Sequence, residues 1–229
     1  MAVNARIKAK DEFRVGTDRG PPLVYLDLGV GDQPSRRLHI ELFHEELPIT
    51  TENFRLLCTG ELRGKGKVKA LWYKNTRFHR VIPGFMMQGG DITHGAMTWY
   101  LHWKSVPCGL VTHWLALCFD PGNGAGGVAA MGTSFEDESF LFKHQVGAVS
   151  MAHQNSSNRS QFFICFGAPS WLDGKHVVLG QVLRDDLPHL AAFEATGSAS
   201  GRPTSAIVVT DAGQVCGLGF TPAPMLRGG

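Results

Sequence analysis

Residues 77–91, RFHRVIPGFMMQGGD, constrain the fold more than any other part of the chain. Apolar runs flank a Pro-Gly pair, which is typical of a tight turn between two strands. Arg80 precedes this turn and Gln88 follows it, while Gly89 and Gly90 allow a backbone or a ligand to approach closely. The pattern predicts a β-hairpin that carries a guanidinium and an amide. It is either a buried hairpin in which Arg80 pairs with a carboxylate, or part of a binding site.

Three further motifs bear on this choice. SMA at residues 150–152 is followed by SQFFICF at 160–166 and WLDGKHVVLG at 171–180. Together with residues 77–91, they resemble the cyclophilin family of peptidyl-prolyl isomerases. The resemblance implies a mainly β fold, a closed eight-stranded antiparallel barrel capped by two α-helices. The many short strand patterns and only two helical patterns favour the same architecture.

Length and composition suit one domain, because 229 residues with 43% hydrophobic content are enough for a single core. We expect an N-terminal extension at 1–21, a barrel domain at 22–216 and a C-terminal tail at 217–229. The formal net charge of +2 creates no strong field, so composition gives no support for nucleic acid or an anionic membrane as a partner, and we do not expect one. We read no secretory signal and no apolar run of membrane-spanning length. We therefore expect a monomer in the cytoplasm, without membrane association.

The cysteines are too few and too scattered for a disulfide framework, which favours a reducing compartment. Cys165 lies in an apolar strand and is expected to be a small buried hydrophobe. In the divergent-loop subset of cyclophilins, a cysteine before a long loop pairs with one near the C-terminus. Cys58 matches the first of these, whereas Ala212 occupies the second position and Cys216 follows four residues later. A Cys58–Cys216 redox switch is therefore a hypothesis.

Two segments have helical patterns. The first, residues 48–58, begins at Pro48 and ends before Gly60. Its residues Phe54, Leu57 and Cys58, spaced by three and four, form one apolar stripe. Residues 185–196 form the second predicted helix. It would be capped by Asp185 or Asp186, with its apolar stripe on Leu187, Leu190 and Ala191.

Two surface segments leave alternatives open. The loop at 62–72 carries basic side chains that would contact RNA or simply be solvated: Arg63, Lys65, Lys67 and Lys69. Residues 94–122 form an insertion relative to the family. The insertion is a lineage-specific excursion that packs its tryptophans, a faulty gene model, or a metal site. Such a site would use His102, Cys108, His113 and Cys118.

The chemistry-bearing residues exclude several reaction types. The sequence has no Ser-His-Asp order, no phosphate-binding loop and no strong metal cluster. An arginine and a glutamine among aromatic and aliphatic residues suit a reaction that needs neither a nucleophile nor proton transfer. Prolyl cis/trans isomerisation is such a reaction, because it only requires the amide to twist over a barrier of ~18–20 kcal/mol. No cofactor and no metal are needed.

The resemblance also implies the roles of individual residues. Arg80 matches the catalytic arginine, and Gln88 matches an amide that contacts the substrate backbone. The wall of the proline pocket would consist of Phe85, Met86, Phe163, Leu172 and His176. The neighbouring groove, for the chain before proline, would consist of Gly124, Ala152, His153, Gln154 and Gln161. Trp171 matches a rim residue that favours cyclosporin A binding in relatives. The implied partners are proline-containing peptides and proteins, together with cyclosporin A.

Two departures from the family bear on this prediction. Relatives commonly carry Asn-Ala where this chain has His153-Gln154, so the pocket for the residue before proline is expected to differ. The insertion leaves the barrel beside the same groove. The alternative function is therefore a proline-peptide-binding scaffold with weak catalysis, in which the insertion gates the groove. Taken one at a time, these residues also have a purely structural interpretation. In a β-barrel without this function, Phe163 would be a core residue and His79 a structural histidine.

Overall fold

The computed structural model describes residues 21–62, 64, 71–93, 124, 126–153 and 156–215. Its strands are β1 (Leu23–Val30), β2 (Arg36–Leu42), β3 (Arg77–Phe78), β4 (Arg80–Ile82), β5 (Met86–Gly89), β6 (Ala148–Met151), β7 (Phe162–Cys165), β8 (Val178–Val182) and β9 (Ile207–Gln214). They form one antiparallel sheet in the order β3-β9-β1-β2-β8-β6-β7-β5-β4.

The two edges of this sheet are consecutive in the chain. β3 pairs with β9 and β4 pairs with β5, and only His79 separates β3 from β4. The prediction of a mainly β antiparallel barrel is confirmed, but its count of eight strands is one too low. The reason is that residues 77–82 form two strands instead of one. They divide at His79, since β3 pairs with β9 whereas β4 pairs with β5. The barrel is thus nearly closed across this segment.

Period-2 alternation sorts the side chains between the barrel interior and its outer surface. In β2, Leu38, Ile40 and Leu42 are all fully buried, on the face that their alternation predicts. Phe162 and Ile164 of β7 also belong to the main core inside the barrel. Every second residue of each strand therefore remains for the outer surface, where a second apolar cluster lies.

Helix α1 (Pro48–Thr59) matches the predicted helix to within one residue. It ends at Gly60, which adopts a left-handed conformation with φ of 65°. Its first turn has no cap from its own side chains. Instead, the Glu138 carboxylate accepts hydrogen bonds from Ile49 N at 3.1 Å, Thr50 N at 2.8 Å and the Thr50 hydroxyl at 2.9 Å. A carboxylate from a loop remote in sequence thus accepts hydrogen bonds from the free N–H groups of the helix. Its negative charge also interacts favourably with the positive end of the helix dipole.

Removing this cap should destabilise the fold. Glu138→Ala is expected to lower the free energy of unfolding by about 1–2 kcal/mol, because it leaves two backbone donors of α1 without an acceptor. Urea denaturation followed by circular dichroism measures the change. Glu45→Ala is the matched control, since Glu45 is exposed and should change stability by less than about 0.5 kcal/mol. Equal midpoints for the two variants would contradict the capping role.

The second helical segment differs from the prediction. A 3-10 helix covers Arg184–His189 and contains Pro188, and helix α2 covers only Leu190–Glu194. Proline at 188 has no N–H for an α-helical bond, which explains the tighter turn before it. Asp185 and Asp186 do not cap this segment, and the Asp186 carboxylate binds His39 instead. The buried residues of α2 are Leu190 and Phe193, so placing Ala191 in the stripe was wrong because it is exposed.

Several predictions fall on parts of the chain that the structure does not describe. They concern residues 1–20, the basic side chains of the 62–72 loop, the insertion at 94–122, Gln154, Cys216 and the tail at 217–229. The domain limits therefore stay predictions. Among the described residues, no helix has both the length and the apolar character needed to cross a membrane. Cys58 and Cys165 are free and buried, as expected for Cys165, and burial raises the pKa of the Cys165 thiol to about 12.

Candidate active site

The site is built on the outer face of four adjacent strands. Arg80 of β4 pairs with Gln88 of β5, Gln88 pairs with Phe163 of β7, and Phe163 pairs with Ser150 of β6. Directly paired residues on neighbouring strands point to the same side of a sheet. A cation, an amide and an aromatic ring are therefore placed in one row by strand register alone.

This row forms the floor of a cleft of about 440 Å³. Its lining includes most of the residues predicted to contact substrate: Arg80, Phe85, Met86, Gln88, Gly124, Ala152, His153, Gln161, Phe163, Leu172 and His176. Trp171 lies at the rim, where it is 60% exposed and its ring centre is 5.5 Å from that of Phe85. Gln154 is outside the described residues. The structure thus brings the predicted residues together, while their individual roles stay predictions.

Arg80 is exposed in this cleft, and no described carboxylate pairs with it. The interpretation of residues 77–91 as a buried hairpin with a neutralised arginine is therefore not supported. Gly201 supports the base of the side chain from the other side. A Cβ on Gly201 would lie 3.1 Å from Arg80 Cγ, and its φ of 82° favours glycine. The Gly201 carbonyl also accepts the Val81 N–H at 2.8 Å, which fixes β4 at this point.

A chain of amides joins the floor of the cleft to the glycine-rich turn. Gln161 Nε2 donates to the carbonyl oxygens of Gly124 at 2.6 Å and Gly126 at 2.8 Å. Its Oε1 accepts a bond from Gln88 Nε2 at 3.0 Å. The amide of Gln161 is therefore committed to holding the turn, whereas the Gln88 carbonyl oxygen remains for a substrate N–H. Gly124 admits no side chain, because a Cβ there would collide with His79.

The opposite part of the cleft is apolar. Met86 is 3% and Phe163 is 4% exposed, and both belong to the second apolar cluster, against which Phe85 and Leu172 pack. These residues are at once part of a hydrophobic core and the wall of a pocket. Such a rigid apolar wall suits a ring like that of proline, which buries its carbon surface without a polar partner.

Two histidines line the cleft beside this wall. The rings of His153 and His176 lie 4.5 Å apart, and His176 Nδ1 is 3.0 Å from the Met151 carbonyl, so that Nδ1 is the donor. His153 Nε2 lies 3.0 Å from the Lys175 carbonyl and 3.2 Å from the Asp137 carboxylate. Burial and the neighbouring His153 lower the pKa of His176. His176 is therefore expected to be neutral at physiological pH.

A further histidine supports the row from below. The ring of His144 stacks on Phe163 with centres 5.7 Å apart. Its Nδ1 lies 2.8 Å from the Asp173 carboxylate and its Nε2 3.1 Å from the Ser150 hydroxyl. Burial lowers the pKa of His144 against the opposing effect of Asp173. Although these three residue types recur in hydrolases, Ser150 is fully buried, so they serve here to hold Phe163 in place.

The ends of the insertion meet at one point beside the groove. The buried Asp91 carboxylate accepts bonds from Thr93 N at 3.0 Å and Gly126 N at 3.0 Å, and the Thr93 hydroxyl accepts Gly127 N at 2.9 Å. Residues on either side of 94–123 are thus joined directly by hydrogen bonds. These hydrogen bonds hold residues 91–93 against residues 126–127.

The lowered histidine pKa values predict a pH dependence of stability. Burial is the first cause of the lowering at His79, His144 and His176, whose ordinary pKa is 6.5. The unfolded chain therefore binds protons more readily than the folded chain just below pH 6.5, so this contribution is complete above that pH and is lost as the pH falls. The urea midpoint is expected to decrease from about pH 7.5 to about pH 5.5.

His176→Asn should weaken this dependence, because asparagine cannot take up the proton and its amide can still donate to the Met151 carbonyl. Denaturation curves at several pH values for both proteins test this. The same midpoint for the wild-type protein at either end of the range would contradict the prediction.

The structure also adds residues that the sequence analysis missed. Gly126, Ser157 and Arg159 line the same cleft. Gly126 could have been inferred from its place in the glycine-rich turn. The other two lie in a polar loop, which carries no periodic signal. Among the described residues, no group of three or more metal-ligating side chains is placed to hold an ion.

The fold and the cleft define a class of protein: an antiparallel barrel with a peptide-sized groove on its outer face, floored by an arginine and walled by apolar side chains. Residues 25–214 match the family model described as cyclophilin type peptidyl-prolyl cis-trans isomerase/CLD. The chain belongs to this family, and it is accordingly an isomerase that acts on peptide bonds before proline. The resemblance inferred from the sequence is confirmed.

Proposed function

We propose that the protein accelerates the isomerisation of X–Pro bonds in protein substrates through the cleft around Arg80, and so assists their folding. The observation that carries this proposal is the exposed Arg80, with which no described carboxylate pairs, in register with Gln88 and Phe163 on one face of the sheet. Because no carboxylate in the described part of the chain neutralises it, this guanidinium can contact a substrate group.

The chemistry follows from the electronic structure of the amide. A planar X–Pro bond is held by resonance, and twisting it returns the lone pair to the proline nitrogen, which then accepts a hydrogen bond. A guanidinium near that nitrogen stabilises the twisted state more than the planar states, which is the requirement for catalysis. Acceleration of about ten-thousand-fold requires only about 5–6 kcal/mol. One charge-assisted hydrogen bond and the positioning of the ring can supply this.

The other residues of the cleft bind different parts of the substrate. In this proposal the proline ring lies against Met86, Phe163 and Leu172, while Gln88 binds the substrate backbone. The groove for the preceding residues runs along Gly124, Ala152, His153 and Gln161. His153 brings a ring where relatives carry a smaller amide, so this part of the groove should accept smaller residues than relatives do.

A prolyl isomerisation assay on a short X-Pro peptide tests the proposal. We expect the full chain to accelerate isomerisation and cyclosporin A to inhibit it. Support for cyclosporin binding comes from the resemblance and from Trp171, which is exposed at the rim beside Phe85. Peptide binding without acceleration would instead favour the scaffold alternative.

The same assay on a variant lacking residues 94–122 separates the role of the insertion. Because Asp91 and Thr93 already bind the backbone at 126–127, the shortened chain is expected to fold. Equal activity of the two proteins would make the insertion peripheral. Activity only in the shortened protein would show that the insertion blocks the groove.

We also propose a cytoplasmic location, supported by the buried free thiols of Cys58 and Cys165. Imaging of a fluorescent fusion in cells tests this location.

A further inference from the structure

Among the described residues, the lining of the cleft includes two arginines and no acidic residue. Arg80 and Arg159 are both exposed, and the lining contains neither aspartate nor glutamate. Within the described part of the chain, no carboxylate is paired with either guanidinium. The two histidines of the cleft add no negative charge. The cleft therefore presents an excess of positive charge that isomerisation alone, with Arg80 as its cation, does not explain.

The backbone around Arg159 is fixed on both sides. Asn158 exchanges two hydrogen bonds with Phe135, at 3.0 and 2.8 Å. The Arg159 carbonyl accepts the side chain of the buried Asn53 at 3.0 Å. The carbonyl of the following residue accepts the Tyr73 hydroxyl at 2.6 Å. An exposed cation on a backbone held in this way loses little backbone entropy when it binds a ligand.

Two carboxylates of the neighbouring acidic loop, those of Asp137 and Glu138, bind groups other than Arg159. The Asp137 carboxylate accepts Asn158 Nδ2 at 2.9 Å and lies 3.2 Å from His153 Nε2. Glu138 caps helix α1. These two carboxylates have partners elsewhere, although one of them adjoins the residue before Arg159. As far as the described residues show, the Arg159 guanidinium thus remains available to an anion from outside the protein.

We propose that Arg159 is a specificity-determining residue that favours substrates with an anionic side chain, either a carboxylate or a phosphate, close to the isomerising proline. This inference rests on the proposed function, because it assigns a substrate class to the same cleft. Arg159 binds the anion and has no part in twisting the amide. A guanidinium matches both anions, since it donates two parallel hydrogen bonds to two oxygens.

The test uses the full chain and matched peptides with one X-Pro bond. The residues at each of the three positions before and after proline are replaced in turn by Glu, Gln, phosphoserine or Ser. At low salt, we expect kcat/KM for Glu to exceed that for Gln by about threefold to fivefold at one position or more. Phosphoserine should exceed serine by about tenfold, because the phosphate carries more charge. Both ratios should shrink as salt increases.

Substitutions assign the preference to Arg159. Arg159→Gln should bring the Glu to Gln ratio close to one, and this ratio, taken within one variant, does not depend on any general change in its rate. Arg159→Lys should retain a reduced preference and Arg159→Glu should reverse it. Arg184→Glu is the matched control, since Arg184 is exposed but does not line the cleft, and it should keep the wild-type ratio.

Each failure has a distinct meaning. If the wild-type protein isomerises the neutral peptides but shows a ratio of one at every position, the specificity proposal is overturned and the proposed function stands. A Glu to Gln ratio that stays high in Arg159→Gln also overturns the specificity proposal, because a group other than Arg159 then binds the anionic side chain. If no peptide is isomerised faster than in buffer, the proposed function itself has failed.

Discussion

Replacing Arg80 by alanine is expected to lower kcat/KM for a neutral X-Pro peptide by about 10²- to 10³-fold, the usual loss when one donor to a transition state is removed. Lysine at this position should restore little of the activity, because its ammonium lacks the planar fork of the guanidinium. The stability should change by less than about 0.5 kcal/mol, since Arg80 is exposed and unpaired among the described residues.

The control for this experiment is Arg202→Ala. Arg202 is exposed and adjoins Gly201, but it does not line the cleft, so its loss removes the same charge without removing the donor. Isomerisation assays and thermal denaturation of all variants measure activity and fold separately. Undiminished activity in Arg80→Ala would exclude the proposed mechanism, and a parallel loss of structure would show that Arg80 serves the fold.

Phe162→Ala is expected to have the largest effect on stability, about 3–5 kcal/mol. The ring is fully buried and lies among three other aromatic rings, with its centre 5.1 Å from that of Phe54, 5.0 Å from Tyr73 and 5.7 Å from Phe78. Its removal leaves a cavity at the middle of the barrel that these neighbours cannot fill without leaving their own contacts. Since domains are stable by only about 5–15 kcal/mol, much of the total would be lost.

Urea denaturation of two further variants calibrates this result. Phe162→Leu keeps most of the volume and should cost less than about 1.5 kcal/mol. Phe140→Ala is the surface control, because that ring is 42% exposed, and it should be nearly neutral. An equal effect of Phe162→Ala and Phe140→Ala would contradict the assignment of Phe162 to the core.

Local patterns in the sequence were sufficient for much of the sheet. The alternation in β2 gave the correct buried face, and Pro83-Gly84 gave the hairpin that pairs Arg80 with Gln88. Tertiary contacts decided the rest. The predicted helix at 185–196 gave way to a 3-10 turn because Asp186 binds His39 and Pro188 lacks a donor.

The site was predictable only where a motif carried it. Adjacent phenylalanines illustrate the limit: period 2 places Phe162 and Phe163 on opposite faces, but it does not say which of them faces the core. Glu138 and Gly201 act on elements remote in sequence, so no local pattern indicates their contacts. Arg159 lies in a loop whose backbone partners, Asn53 among them, come from other parts of the chain.

The division of residues 77–82 at His79 has a consequence for how long the protein survives in a cell. The same six residues connect both edges of the sheet and carry Arg80, while Val81 faces the core. A molecule in which β4 has separated from β5 would lose its arginine from the cleft and open the barrel at once. Inactive molecules of this kind would be substrates for proteases. Inactivation and turnover would then share one trigger, the separation of β4 from β5.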